Sequence, residues 1–137
     1  MTDDADLDRF EFVTELGTRF RDIDSMGHVN NAVYATYLEQ ARADYFRDVL
    51  DERLSDVRTV LVSLELEFHA PIELGETVRV GLAIPDLGER SIPMEYAVHG
   101  DDGLAATGET VQVPVDDDGA RPVPDRWRER IVARREP

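Results

Sequence analysis

The chain has 137 residues, no cysteine and a formal net charge of −15, from 30 Asp and Glu against 15 basic residues that are all Arg. Without a thiol there is no disulfide framework, thiolate nucleophile or thiolate metal site. An acidic surface also argues against nucleic acid as a partner, because phosphate contacts need basic side chains.

The length predicts a single domain over 1–137 that buries a real core. Complete absence of Lys, beside so many acids, reads as adaptation to a salt-rich cytoplasm, where counterions screen the self-repulsion. No apolar run reaches the roughly 20 residues that a membrane helix needs. The opening MTDDADLDRFEF is acidic and lacks the basic-then-apolar order of a signal peptide. A cytoplasmic location without membrane contact is expected, and residues 1–9 are expected to be disordered.

From Phe10 the pattern alternates. Phe10, Phe12, Leu16 and Phe20 share one parity, while Glu11, Glu15 and Arg19 take the other, which predicts a half-buried strand. A polar loop follows from Asp22 to Asn30, with Ser25, Gly27 and Asn30 as turn or cap formers. Asn30 or Asn31 is the expected N-cap of the next helix. Tyr34, Tyr37, Leu38, Ala41, Tyr45 and Val49 then recur at three- and four-residue steps, the apolar stripe of a long helix lying across a sheet. Glu39 and Arg42, three apart on it, are expected to form an ion pair.

Residues 51–58 are a polar connection. Val60 to Phe68, Val78 to Ile84, Ile92 to Val98 and Leu104 to Val115 read as four further strands. Pro93 marks its strand as an edge strand or a bulge. Gly108 marks a bend or a close approach by a neighbour. Pro124 opens a short helix in which Trp127 and Ile131 share a face and Arg126, Arg128, Arg130, Arg134 and Arg135 cover the rest. Those Arg residues are either an anion site or, the preferred reading, cations near a helix C-terminus that balance an acidic body. The order predicts an α+β protein, one long helix on a five-stranded antiparallel sheet with a short C-terminal helix. One helix cannot cover such a sheet and protect its edges, so a dimer is expected.

The polar loop carries the chemistry. It brings carboxylates and a Gly-His pair to a helix N-terminus, whose unpaired N–H groups favour developing negative charge. Asp24 is the candidate base or nucleophile, with loop capping as its structural alternative. His28 either polarises a carbonyl and orients water or bonds within the turn. Asp22 is expected to hold the loop, with Arg21 as its partner.

The run Asp22-x-Asp24-x-x-Gly27-His28-Val29-Asn30-Asn31-Ala32-x-Tyr34, followed by Tyr37-Leu38-Glu39-x-Ala41-Arg42, resembles the hot-dog-fold acyl-CoA thioesterases. Within them it is most similar to the 4-hydroxybenzoyl-CoA thioesterase-like group. The resemblance covers most of the chain and implies the hot-dog fold, with hydrolysis of an acyl-CoA substrate to free acid and coenzyme A. It implies no metal and no cofactor beyond the coenzyme A of the substrate, and a homodimer or homotetramer with pockets between protomers. It places the catalytic carboxylate on Asp24 and the oxyanion-donating N–H on Asn31, with His28 beside them. Gly27 and Tyr34 fall on the substrate-binding surface, and Arg90 with Ser91 fall where related enzymes contact the nucleotide. Plant acyl-carrier-protein thioesterases with an Asp-Asn-His arrangement differ here, because Met26 stands at the Asn position. Two other readings stay open: a hot-dog enoyl-CoA hydratase or dehydratase using His28 and Glu39, and a non-catalytic acyl-CoA binder.

Overall fold

The structure, a computed structural model, describes residues 6–135. Strand β1 (Phe12–Gly17) leads through the polar loop into helix α1 (Val33–Asp48). Strands β2 (Thr59–Phe68), β3 (Thr77–Ala83), β4 (Ile92–Gly100) and β5 (Gly103–Asp116) follow, then a two-residue β6 (Gly119–Ala120) and helix α2 (Asp125–Arg135). The sheet runs in the order β1-β3-β4-β5-β2, every pair antiparallel, with β6 folded back on β5. The α+β class, the long helix and the short second helix form as the sequence patterns require.

Helix α1 lies on one face of this sheet because its stripe of Tyr34, Tyr37, Leu38, Ala41, Tyr45 and Phe46 is apolar and buried. Its closest approach explains Gly108. A Cβ there would stand 3.0 Å from Leu38 Cδ1, 3.2 Å from the Glu65 carbonyl oxygen and 3.2 Å from Leu66 Cδ2. The register then identifies the helix-facing side of the sheet. Gly108 pairs with Tyr96 and Leu66, Thr110 with Met94 and Leu64, and Gln112 with Ile92 and Leu61. Side chains opposite one another in antiparallel strands share a face, so all of these point toward the helix side.

Strand β2 is an edge, and α1 covers it only in part, through Tyr34 against Phe68. On its helix-facing side Leu61, Leu64 and Phe68 remain 40%, 42% and 46% exposed. Val60 and Val62 are exposed as well, and no strand among the described residues pairs with its outer edge.

Several expectations are corrected. Pro93 lies in β4, a central strand rather than an edge. It is tolerated because the β3 ladder ends at Ala83↔Glu95, short of Pro93, so on that flank its missing N–H interrupts nothing. Phe20 does not continue β1; it opens a 3-10 turn, Phe20–Asp22, and is 83% exposed. Residues 1–5 of the stretch expected to be disordered lie outside the described residues, while Leu7–Arg9 form a 3-10 turn capped by Asp6, whose carboxylate accepts the Asp8 N–H at 3.1 Å. Helix α1 begins later than expected: its N-cap position is Ala32, not Asn30 or Asn31, and carries no side-chain cap.

Helix α2 docks through Trp127, whose ring meets Phe46 edge-on at 5.4 Å and whose indole N–H donates to Glu52 at 3.0 Å. Three of its Arg side chains donate to backbone carbonyls: Arg128 to Gly88, Arg134 to Glu11 and Arg135 to Pro85, each at 2.9 Å. Those three guanidinium groups therefore tie the helix to the body.

Candidate active site

The polar loop is pinched at its base. Ile23 bridges Val29, and the Asn30 N–H donates to the Asp22 carbonyl at 2.8 Å. Beneath the base lies the Asp22 carboxylate, 2% exposed. It accepts the Arg19 backbone N–H at 3.0 Å and an Arg19 guanidinium N–H at 3.2 Å, and the Tyr37 hydroxyl donates to it at 3.4 Å. Burial, reinforced by this carboxylate, pushes the Tyr37 phenol well above its ordinary value. Asp22 thus holds the loop, as expected, but through Arg19; Arg21 is exposed. The three-residue spacing of Arg19 and Asp22 around a turn is the signal that would have found this pair.

Within the loop Asp24 is half-buried and folds its own turn. Its N–H donates to the His28 carbonyl at 2.8 Å, and its carbonyl accepts the Gly27 N–H at 3.1 Å. Its Oδ1 accepts two backbone donors, Met26 N–H at 2.8 Å and His28 N–H at 3.2 Å. Oδ2 has no partner among the described residues. Gly27 closes this turn at φ +82, a left-handed conformation that favours glycine. The capping role of Asp24 is therefore present, and it occupies only one carboxylate oxygen.

His28 is held by its backbone, which bridges Glu73, while the next amide, Val29 N–H, donates to the Ile72 carbonyl at 2.7 Å. Its imidazole makes no hydrogen bond among the described residues. The supporting turn is itself tied by Glu76, whose carboxylate accepts Glu73 N–H and Asp101 N–H at 2.8 Å each. Sequence reasoning missed Glu76, since its partner Asp101 is far away along the chain.

The loop enters α1 through Asn30, whose Oδ1 accepts the Ala32 N–H at 2.9 Å and whose carbonyl accepts the Val33 N–H at 2.9 Å. Asn31 is exposed, and its N–H has no acceptor among the described residues. An unpaired amide at this point is preorganised for an anionic oxygen. Tyr34, one turn on, is 2% exposed and sits behind Phe68, ring to ring at 5.1 Å.

The family model of the thioesterase-like superfamily matches residues 18–131, from before the loop to the last turns of α2. The chain belongs to the thioesterase-like superfamily. That places it in a class of thioester hydrolases with the hot-dog fold described above. A thioesterase of Thermus thermophilus, solved in complex with coenzyme A and Zn, is 37% identical with a TM-score of 0.86, over 93% of this chain and 96% of that one. A predicted thioesterase from Bacillus stearothermophilus, also of solved structure, is 25% identical with a TM-score of 0.81, over 90% of this chain and 95% of that one. The uncharacterized protein YsmA of Bacillus subtilis (strain 168) is 26% identical over 117 residues, 83% of this chain and 79% of that protein.

The remaining residues singled out in this thioesterase-like chain lie apart from the loop. Arg90 and Ser91 precede β4, whose far end, Gly100, reaches the Glu76 turn that supports the loop. The strand between them spans roughly 25–30 Å, so one protomer does not bring Arg90 and Asp24 together. Arg90 donates to the Ala120 carbonyl at 3.0 Å, and the Ser91 carbonyl accepts the Gly88 N–H at 3.0 Å. Glu39 and Arg42 do not form the expected ion pair. Glu39 is exposed beside Thr36, Gln40, Ala43, Leu54 and Ser55, while Arg42 turns inward to the Tyr96 hydroxyl at 3.2 Å. Among the described residues no group of three or more His, Asp or Glu side chains is placed to hold a metal, and no helix is long and apolar enough to cross a membrane.

Proposed function

We propose that the protein, folding as one domain, hydrolyses an acyl-CoA thioester to the free acid and coenzyme A, with Asp24 as the catalytic carboxylate. The observation that carries this reading is the division of labour within that side chain. Oδ1 is fixed by two backbone amides and Oδ2 has no partner among the described residues, so the group is both rigid and available. Acting as a general base, it takes a proton from water as the water oxygen bonds to the acyl carbon. The C–S bond then breaks, and the departing thiolate takes up that proton. Acting as a nucleophile, it bonds through its oxygen to the acyl carbon and the C–S bond breaks, coenzyme A leaving as a thiolate that is protonated by solvent. Water then opens the mixed anhydride to the free acid and the regenerated carboxylate. The Asn31 N–H receives the carbonyl oxygen as it becomes anionic. The loss of one such donor typically costs about 10²–10³ in rate. His28 orients the water or the carbonyl, Gly27 keeps the backbone beside the thioester unobstructed, and Tyr34 shapes the acyl site through Phe68.

The working unit is a homodimer joined along β2, with a homotetramer as the further assembly. An exposed strand edge bearing Val60, Val62, Leu64 and Phe68 invites pairing with another strand. A two-fold antiparallel pairing sets the Thr59 end of one copy beside the Phe68 end of the other. The Arg90 and Ser91 end of the second copy then approaches the Asp24 loop of the first, where it contacts the coenzyme A phosphates. An anionic ligand needs such local Arg contacts against a chain of net charge −15. The same charge suits a salt-rich cytoplasm.

Free-thiol release from short, long and aromatic acyl-CoAs in molar KCl tests the activity. Release from any member supports it, and none from folded protein overturns it. Light scattering tests the assembly, with a mass of twice the 15.5 kDa protomer or an even multiple expected.

A further inference from the structure

One polar cluster in the core is not used by this mechanism. Arg42 and Gln112 are each 5% exposed. One guanidinium N–H of Arg42 donates to the Tyr96 hydroxyl at 3.2 Å, and that hydroxyl shares a 2.6 Å hydrogen bond with Thr110. Among the described residues the Arg42 Nε, a donor, is buried with no partner, while Gln112 donates its amide N–H to the Thr59 hydroxyl at 3.0 Å and leaves only its acceptor Oε1 unpaired. Among the described residues Arg42 also has no carboxylate partner, so a full positive charge lies in the interior uncompensated. That is costly unless something anionic meets it. An enclosed water would satisfy Nε and leave the charge unbalanced.

The cluster adjoins an open surface. Thr110 and Gln112 occupy the helix-facing side of β5, opposite Leu64 and Leu61 of β2. The neighbouring strand lies about 4.8 Å away, and there Leu61, Leu64 and Phe68 form an uncovered apolar trough beside α1. The trough starts at Phe68, against Tyr34 in the first turn of α1, near the free Asn31 N–H. It ends at Leu61, paired with Gln112. Arg42 stands roughly 16 Å down the chain from Asn31 at helical rise, and a helical side chain leans back toward the N-terminus.

We propose that this trough holds the acyl chain and that Arg42 recognises a carboxylate at its distal end, so that the substrate is a carboxyacyl thioester. The inference rests on the thioesterase reading and narrows it. An acyl chain that starts beside Asn31 and lies along Leu66 and Leu64 runs toward Thr110, whose partner, the Tyr96 hydroxyl, holds Arg42. A guanidinium edge offers a carboxylate parallel N–H donors. A distal methyl group leaves the same buried charge unmatched, the kind of mismatch by which sites built for a polar group reject apolar analogues.

The test is free-thiol release from pairs of acyl-CoAs of equal length, one ending in a carboxylate and one in a methyl group, for wild type and for Arg42→Met. The readout is the ratio of kcat/KM within each pair, which a general loss of folding or activity does not move. The expected result is a ratio of at least tenfold in favour of the carboxylate at one chain length in wild type, falling below one in Arg42→Met. Arg42→Lys, which keeps the charge without the planar fork, is expected to fall between them. Hydrolysis of both members with no preference at any length overturns the inference and leaves the thioesterase reading standing, as does a preference that survives Arg42→Met. No thiol from any member overturns the thioesterase reading itself, and this inference with it.

Discussion

Asp24 and His28 are joined twice across the loop: Asp24 N–H donates to the His28 carbonyl at 2.8 Å, and His28 N–H donates to Asp24 Oδ1 at 3.2 Å. The first bond belongs to the backbone and survives any side chain at position 24. The second, with the Met26 N–H bond to the same oxygen, needs an acceptor at Oδ1. Asp24→Asn keeps that acceptor and is expected to unfold within about 0.5 kcal/mol of wild type. Asp24→Ala removes it and is expected to lose about 1–2 kcal/mol, each such bond being worth about 1 kcal/mol net. Denaturant unfolding of the two variants checks this.

Gly108 fixes the distance between helix and sheet. The neighbours a Cβ would meet include the Glu65 carbonyl, which is backbone and cannot step aside as a side-chain tip does. Gly108→Ala is expected to destabilise by about 1–3 kcal/mol, the usual range for overpacking a filled core. A thermal melt at or above the wild-type midpoint contradicts the packing described.

All 4 tyrosines of the chain, Tyr34, Tyr37, Tyr45 and Tyr96, are buried. Burial raises each phenol above its ordinary value of 10.0; Glu76 adds to this at Tyr34, Asp22 at Tyr37 and Glu11 at Tyr45, while Arg42 opposes it at Tyr96. The unfolded chain thus releases these protons near pH 10 and the folded chain holds them. Their contribution to stability is complete below that pH and falls as the pH rises beyond it. Tyrosinate absorbance is expected to appear together with the loss of helical circular dichroism, in one transition above pH 10. A gradual rise near pH 10 in folded protein contradicts this.

Self-repulsion at a net charge of −15 makes stability depend on salt. The unfolding midpoint is expected to rise steadily from dilute buffer to molar KCl. A midpoint independent of KCl contradicts salt adaptation.

Periodicity made the elements legible. The α1 stripe and the alternation in β2, β3, β4 and β5 are local patterns set by burial on one face. Strand order was not legible, because it depends on pairings distant in sequence; hence Pro93 looked like an edge residue. Arg42 was misplaced for a related reason: a charged residue three from Glu39 reads as a surface pair, and only the packed sheet reveals Tyr96 beneath it. The loop was legible as a motif, but Arg19 rather than Arg21 holds Asp22 because the strand yields to a 3-10 turn at Phe20. The separation of Arg90 from Asp24 was hidden too, since it depends on the direction of β4.

The most direct test of the account is thiol release from the acyl-CoA panel by wild type and Asp24→Asn, both confirmed folded in molar KCl. Asn preserves the loop's hydrogen bonds and removes only the charge and basicity of the carboxylate. The account predicts hydrolysis by wild type and a loss of at least a hundredfold in the variant. Equal rates for the two proteins would contradict it.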